Sequence, residues 1–353
     1  MSARRVIIMA AGTGGHIFPG LAVAEALRRH GAEVSWLGTP GGLENRIVPS
    51  SGLVLDRIRI AGLRGRGLLG WLLAPVRVLR AMGQARAIFR RRKPHCVLSM
   101  GGYVAGPGGL MARLMGIPLV VHEQNAVAGL TNRLLRPIAA VVLAGFPDVL
   151  RNARHCGNPV RREILALPAP ADRAAARSGP LQLLVVGGSQ GSAALGRVVP
   201  RALALLPPDH RPLVVHQAGR QHEQTLEEYR QAGVDGEVVE FIDDMATALG
   251  RADLAVCRAG ALTVAELAAG GVAAILVPFP YAVDDHQTAN ARYLSDAGAA
   301  WLEPESELTP ERLAGRLNAL DRAGLVAMGN QARALRRADA VDQVAQACLE
   351  VAA

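Results

Sequence analysis

Val6-Ile-Ile-Met-Ala-Ala-Gly-Thr-Gly-Gly-His-Ile-Phe-Pro-Gly20 decides the fold class. Val6 to Ala10 is a short apolar run without alternation, as expected of a parallel strand buried on both faces. It breaks into glycine, and a helix is expected from about Leu21 to Arg29. The pattern returns near the middle of the chain. There Leu181-Gln-Leu-Leu-Val-Val runs into Gly187-Gly-Ser-Gln-Gly191 and then a helix through Leu206. Strand, glycine turn and helix, twice over, predict an α/β protein of two doubly wound parallel-sheet domains.

Working outward, further apolar strands are expected at 34–37, 96–100, 118–121 and 139–143, then at 213–216, 237–241, 253–257 and 273–277. A chain of 353 residues is long for a single core and suggests two domains. The Ala- and Pro-rich stretch after Leu165 places a linker around 158–170. The domains are therefore drawn as 1–160 and 161–338. A last helix within 339–353, at about 340–351, could pack back onto the first.

Composition narrows the function. The net charge is +9, and every positive side chain except Lys93 is arginine, which grips phosphate bidentately. That suits nucleotides, nucleic acid or an anionic membrane surface. Aromatics make up only 3%, too few for base-stacking platforms, and no DNA-reading motif is present, so nucleic acid is set aside. Cys96, Cys156, Cys257 and Cys348 are scattered without metal-ligand spacing and read as small buried residues in a reducing compartment. The first residues imitate a signal peptide, but the apolar stretch ends at Ala11, so a first strand is the better reading. No apolar run reaches the length of about 20 residues that a membrane span needs. A cytosolic protein, peripheral to a membrane at most, is expected.

The first glycine loop fails the dinucleotide test. Gly12 and Gly14 fit G-x-G-x-x-G, but Ile17 stands at the third position and no acidic residue closes the strand ending Ser35-Trp36-Leu37-Gly38. What remains is a glycine loop opening a helix, where backbone amides meet an anion. His16 sits at that helix start, where the dipole disfavours a charged imidazolium and suits a general base. A lone histidine there could equally cap or pack. Two more strand ends deliver polar clusters: Ser99-Met-Gly-Gly-Tyr-Val-Ala-Gly-Pro-Gly-Gly109 and Val120-Val-His-Glu-Gln-Asn125. Ligands of parallel α/β sheets bind beyond such carboxyl ends.

The second half is denser. Phe241-Ile-Asp-Asp-Met245, Cys257-Arg-Ala-Gly-Ala-Leu-Thr-Val-Ala-Glu266 and Pro278-Phe-Pro-Tyr-Ala-Val-Asp-Asp-His-Gln-Thr-Ala-Asn290 each follow a strand. Thr263 and Glu266 also have the spacing of a capping box, and spacing alone favours that structural role. No Asp-x-Asp motif and no His/Asp/Glu cluster at metal spacing occurs, so neither a metal site nor a cofactor is expected. Charge on a leaving diphosphate would then fall to helix N-termini and arginine.

One further stretch, Leu68 to Lys93, carries two apolar stripes at helical spacing. Val78, Met82, Ala85 and Phe89 form the one a sheet-packing helix needs. Leu72, Val76 and Leu79 form a second, near Trp71, flanked by Arg77, Arg80, Arg86 and Arg90. Both could be ordinary core. The excess apolar width beside a basic flank points instead to a patch for an anionic membrane.

Taken together, Gly12 to Gly20, Met100-Gly-Gly-Tyr-Val-Ala-Gly-Pro-Gly-Gly109, His122-Glu-Gln-Asn125, Gly157-Asn-Pro-Val-Arg161, Gly187-Gly-Ser-Gln-Gly191, Phe241 to Met245 and Arg258 to Glu266 resemble the MurG family. These transferases move N-acetylglucosamine from UDP-GlcNAc to lipid I, giving lipid II in peptidoglycan synthesis. The likeness runs in order from about residue 5 to 302. It implies a GT-B fold, two Rossmann-like domains facing across a cleft, with inversion at the sugar and no essential bound metal. It implies that Ile242 meets the uracil through its backbone, Glu266 the ribose and Ser189 the diphosphate. Ala261, Leu262 and Thr263, with Val264 and Ala265 behind them, would offer a helix start to phosphate and sugar. Gln287 would bind GlcNAc hydroxyls, and Arg161 would reach the donor. Thr13, Gly14, Gly15, His16 and Asn125 would border sugar and acceptor, with His16 the leading base and Glu123 or His122 in reserve. Substrates would be UDP-GlcNAc and lipid I at the inner face of the plasma membrane. The nearest alternative is a UDP-GlcNAc 2-epimerase, which would share the nucleotide half but need no lipid-facing surface.

Overall fold

The computed structural model describes residues 3–60, 74–188 and 190–352. The chain forms two compact units, one of residues 1–161 with 337–353 and the other of residues 162–336. In the first, seven strands run in sequence as β1 (Arg5–Met9), β2 (Glu33–Gly38), β3 (Val54–Arg57), β4 (Cys96–Ser99), β5 (Leu119–Glu123), β6 (Val141–Ala144) and β7 (Arg154–His155). They form one parallel sheet in the order β3-β2-β1-β4-β5-β6-β7. The helices are α1 (Gly14–Arg29), α2 (Glu44–Ser50), α3 (Ala74–Arg92), α4 (Ala105–Leu114) and α5 (Leu130–Leu135). In the second unit β8 (Gln182–Val186), β9 (Leu213–Gln217), β10 (Glu237–Val239), β11 (Leu254–Cys257), β12 (Ala273–Leu276) and β13 (Ala300–Leu302) form a parallel sheet in the order β10-β9-β8-β11-β12-β13. Its helices are α6 (Arg162–Leu165), α7 (Pro170–Ala175), α8 (Ala193–Ala204), α9 (His222–Ala232), α10 (Met245–Arg251), α11 (Ala261–Gly270), α12 (His286–Ser295), α13 (Pro310–Asn318) and α14 (Arg322–Ala334).

Alternation along β1 shows how the first sheet is covered on both faces. Val6 and Ile8 join Leu98 and Val120 in a core closed by α1 and by the last helix, α15 (Ala340–Val351), through Val344 and Cys348. Ile7 and Met9 face the other way, onto Ala81, Ala85 and Phe89 of α3 and Ala112 of α4. Strands buried on both sides read as unbroken apolar runs, which is why they are legible in the sequence. The last helix therefore belongs to the first unit, although the second unit intervenes in the chain. The passage between units falls at Arg161 and Arg162, and the stretch read as a linker already contains α6.

Both sheets change winding direction at the same place, between β1 and β4 and between β8 and β11. That topological switch point is where an open α/β sheet leaves a crevice for a ligand. All three glycine-rich turns noted in the sequence that follow β1, β4 and β8 lie there.

Candidate functional site

In the first domain α1 begins at Gly14, seven residues before the expected Leu21, and includes Pro19 in its second turn. Thr13 is its N-cap, without a side-chain capping bond. His16 thus lies in the first turn, half-buried, with Thr13 exposed and Gly14 and Gly15 half-buried beside it. Gly12 takes φ +99°, and its amide donates to Glu44 Oε2 at 3.1 Å. The same carboxylate accepts from the Thr39 amide at 2.9 Å and the Thr39 hydroxyl at 2.7 Å. A dinucleotide-binding domain would use an acidic residue past β2 for ribose. Here that carboxylate is spent on the protein's own glycine loop. The glycine for close helix–strand packing is also displaced, to Gly20, where a Cβ would lie 2.6 Å from the Trp36 ring.

The turn after β4 meets this loop. Gly101 and Gly102 take φ of +95° and +83°; a Cβ on Gly101 would sit 3.1 Å from His16 Cε1, and one on Gly102 would sit 2.7 Å from the Ala11 carbonyl. Only glycine allows the two loops to pack so closely.

The end of β5 resolves the run His122-Glu123-Gln124-Asn125. The first three are buried and Asn125 is half-buried. Glu123 Oε1 accepts from the Asn125 amide at 2.9 Å and from Asn125 Nδ2 at 3.4 Å. Its Oε2 accepts from the Gly129 amide at 3.0 Å and from Asn132 Nδ2 at 2.9 Å. Four donors occupy this carboxylate, so it braces the 124–129 loop and is badly placed as a reserve base. His122 is buried with both ring nitrogens engaged, and burial pulls it down to about 4. His16 Nδ1 lies 3.1 Å from Gln124 Oε1, and Arg161 stacks 5.4 Å over the Phe18 ring of α1.

In the second domain, Gly188 and Gly191 take φ of +81° and +76° in the turn after β8, and Ser192 caps α8 by accepting from the Leu195 amide at 3.3 Å. Ser189 lies outside the described residues, as do Leu72 and Trp71. Helix α11 corrects the capping-box expectation. Its N-cap is Gly260, with no side-chain cap, so Thr263 stands at the third helical position and Glu266 at the sixth. Neither can close a box that needs the hydroxyl on the cap itself. The amides of Ala261, Leu262 and Thr263 have no intrahelical acceptor, and the first i to i−4 bond is Val264 N–H to the Gly260 carbonyl at 3.0 Å. Val264 is buried with its amide used, so it offers a ligand nothing directly; Ala265 is half-buried and Glu266 buried.

Ile242 is half-buried in the loop leaving β10, which ends at Val239, short of the expected Phe241. Asp244 caps α10 by accepting from the Thr247 amide at 2.9 Å. Gln287, in the first turn of α12, accepts at Oε1 from the Phe279 amide at 2.9 Å. The loop before it holds Asp284 and Asp285 at φ +53° and +49°, a strained pair of the kind that gathers at ligand sites. Two supports escaped the sequence reading. Arg258 Nη1 donates to the Val277 and Pro278 carbonyls at 3.2 Å each, and Asn290 Nδ2 donates to the Ala259 carbonyl at 3.1 Å. Together they tie the start of α11 to the end of β12 and to α12, which carries Gln287. Among the described residues no three His, Cys, Asp or Glu side chains form a metal-ligand set.

Comparison with known proteins agrees with this layout. Residues 6–144 match the glycosyltransferase family 28 N-terminal domain and residues 182–344 the family 28 C-terminal domain. A protein of Bordetella petrii named UDP-N-acetylglucosamine--N-acetylmuramyl-(pentapeptide) pyrophosphoryl-undecaprenol N-acetylglucosamine transferase is 58% identical over 353 residues, spanning 100% of this chain and 99% of its own. The crystal structure of Acinetobacter baumannii MurG superposes with a TM-score of 0.84 at 43% identity, over 98% of this chain and 99% of that one. A putative UDP-N-acetylglucosamine 2-epimerase from Listeria monocytogenes has a TM-score of 0.66 over 98% of this chain and 95% of its own, at 11% identity, a likeness of fold alone. With both halves matched and relatives of this identity along its whole length, the chain belongs to the MurG family of glycosyltransferases, with their GT-B fold.

Proposed function

We propose that the protein transfers N-acetylglucosamine from UDP-GlcNAc, with inversion, to the MurNAc 4-hydroxyl of undecaprenyl-diphospho-MurNAc-pentapeptide, at the cytoplasmic face of the plasma membrane. The observation that carries this reading is the 58% identity, end to end, with a relative named for that reaction. The geometry supports it. In the second domain the three open amides of Ala261, Leu262 and Thr263 sit where a helix dipole meets phosphate, and Glu266 lies one turn behind them for the ribose. In this reading Ile242 offers its backbone to uracil and Gln287 its amide to the sugar, and Ser189, outside the described residues, is assigned to the diphosphate. In the first domain Thr13, Gly14, Gly15 and Asn125 border the acceptor.

His16 is the base in this reading, and Glu123 braces the 124–129 loop. The acceptor hydroxyl loses its proton to the imidazole, and its oxygen attacks the anomeric carbon from the face opposite UDP. The bond to the diphosphate breaks with its electron pair. The charge that grows there is met by the α11 amides, dipoles fixed before the reaction begins, and in this reading by the cation of Arg161.

The lipid acceptor needs a route to the membrane. On α3, Val76 is 63% and Leu79 66% exposed, while Ala81, Ala85 and Phe89 face the core. Of the outer stripe read from the sequence, Val76 and Leu79 lie beside half-buried Arg77 and exposed Arg80, and Leu72 lies outside the described residues. Leu114 on the neighbouring α4 is 71% exposed, next to Arg113. Among the described residues no helix is long and apolar enough to cross a membrane. The deciding assay is transfer of radiolabel from UDP-GlcNAc to a lipid I analogue. Labelled lipid II is expected; release of ManNAc instead would establish the epimerase alternative.

A further inference from the structure

His16, Gln124 and His122 form a chain that ends on backbone. His122 Nε2 lies 3.0 Å from the Gly157 carbonyl oxygen. A carbonyl only accepts, so that nitrogen carries a proton. His122 is fully buried and neutral, so its Nδ1 is a lone pair. The Gln124 amide atom 3.1 Å from Nδ1 must then donate, and the same atom lies 3.2 Å from the His122 carbonyl oxygen, a second pure acceptor. It is therefore the amide nitrogen, and a flipped amide would set oxygen against both. The backbone of Gln124 is anchored as well, because its main-chain carbonyl accepts from Asn158 Nδ2 at 2.9 Å. What faces His16 Nδ1 at 3.1 Å is thus the amide oxygen, which can only accept.

We infer that Gln124, oriented by His122, is a positioning residue that holds the proton of the neutral His16 ring on Nδ1 and leaves Nε2 as the bare lone pair that takes the acceptor's proton. The inference rests on the reading of His16 as the base. Free imidazole in histidine prefers the opposite tautomer, so without this chain the productive form is the minority. When the acceptor O–H bond breaks, its proton goes to Nε2. The resulting imidazolium keeps its Nδ1–H on the Gln124 oxygen, and UDP leaves with the electron pair of the broken C–O bond. Gly101 completes the mount: a Cβ there would stand 3.1 Å from His16 Cε1, so backbone alone backs the ring.

Tautomers are read directly by two-bond nitrogen–proton correlation NMR on protein labelled with ¹⁵N-histidine. The His16 signals among the nine histidines are identified by their loss in His16→Ala. In the wild type His16 should show the Nδ1–H pattern, and Gln124→Met should move it toward Nε2–H. The same variant should lower kcat about tenfold, the bias one net hydrogen bond supplies, with KM for UDP-GlcNAc unchanged. A wild-type His16 in the Nε2–H form overturns the inference even if Gln124→Met does not fold. So does a folded Gln124→Met variant with unaltered tautomer and kcat. His16→Ala separates the two readings. Full kcat in that variant sinks the base assignment and the positioning role with it. A lost kcat together with an Nε2–H wild type leaves the base standing and sinks the inference alone.

Discussion

Glu44, Glu123 and Glu266 are three buried carboxylates that the sequence could not tell apart. Glu44 and Glu123 accept from loop amides and hold the two edges of the first domain's crevice in shape. Glu123 drew notice because it ends a strand, but its donors at Gly129 and Asn132 emerge only once the loop is folded. Glu44 drew none, because its partner Gly12 lies 32 residues earlier in the chain. Glu266 was the harder case, since its spacing from Thr263 suits a cap. With Gly260 as the actual N-cap, a ribose role no longer competes with a capping role. Glu266→Gln should therefore weaken UDP-GlcNAc binding by about 1–3 kcal/mol, the difference a charge-assisted hydrogen bond makes. Its thermal midpoint should stay near the wild type's. Calorimetry and a melting curve on the same sample check both, and unchanged donor affinity would remove Glu266 from the site.

Helix α1 illustrates what element-scale reading misses. The helix expected from about Leu21 opens instead at Gly14 and absorbs Pro19. The cost of a missing amide in the second turn is met by packing. Gly20 lets the helix lie against Trp36, whose indole donates to the Ala10 carbonyl at 2.9 Å. Gly20→Ala would drive a methyl into that ring, 2.6 Å from the nearest carbon, and should cost about 1–3 kcal/mol by overpacking, measured by denaturant unfolding. If stability is unchanged, the helix has room that this geometry denies. Between β9 and α9 a second element-scale effect follows from charge. His216 is buried, its Nδ1 lies in hydrogen-bond contact with the Tyr229 hydroxyl at 3.2 Å, and burial pulls it down to about 3. Its ordinary value in the unfolded chain is about 6.5. The unfolded state thus binds the proton first, and the contribution of neutral His216 is complete above pH 6.5 and lost as pH falls toward 3. His216→Gln should flatten the fall in stability across that window. An identical pH–stability curve for the variant would show that His216 does not govern it.

At the scale of the whole molecule, one strand order serves twice, and each domain puts its glycine turns at its own switch point. The chain's +9 charge belongs to the same picture, because arginine-rich surface beside exposed leucine and valine suits an anionic bilayer. Each arginine near such a surface contributes about 1 kcal/mol, so several would hold the protein there reversibly. Val76→Glu with Leu79→Glu should abolish sedimentation with anionic vesicles and leave UDP binding intact, and high salt should weaken the wild type. A double variant that still sediments like the wild type would move the contact elsewhere, with Leu114 on α4 the next surface to test.

The sequence by itself determined the two parallel sheets, their glycine turns and the family. Each rests on contiguous residues: an apolar run long enough to be buried on both faces, a glycine where φ turns positive, a motif kept in order. Helix starts were less legible, because a proline or a capping pair has more than one structural use. Only the tertiary structure decided that the last helix joins the first domain, since Val344 and Cys348 find their core some 250 residues upstream at Leu98. Only it sorted His122, Glu123 and Gln124 into an anchor, a brace and a mount for His16. Side chains that alternate at a strand end meet partners from distant loops, and hydrogen-bond direction depends on every partner at once. Nothing in the local order of residues carries that information.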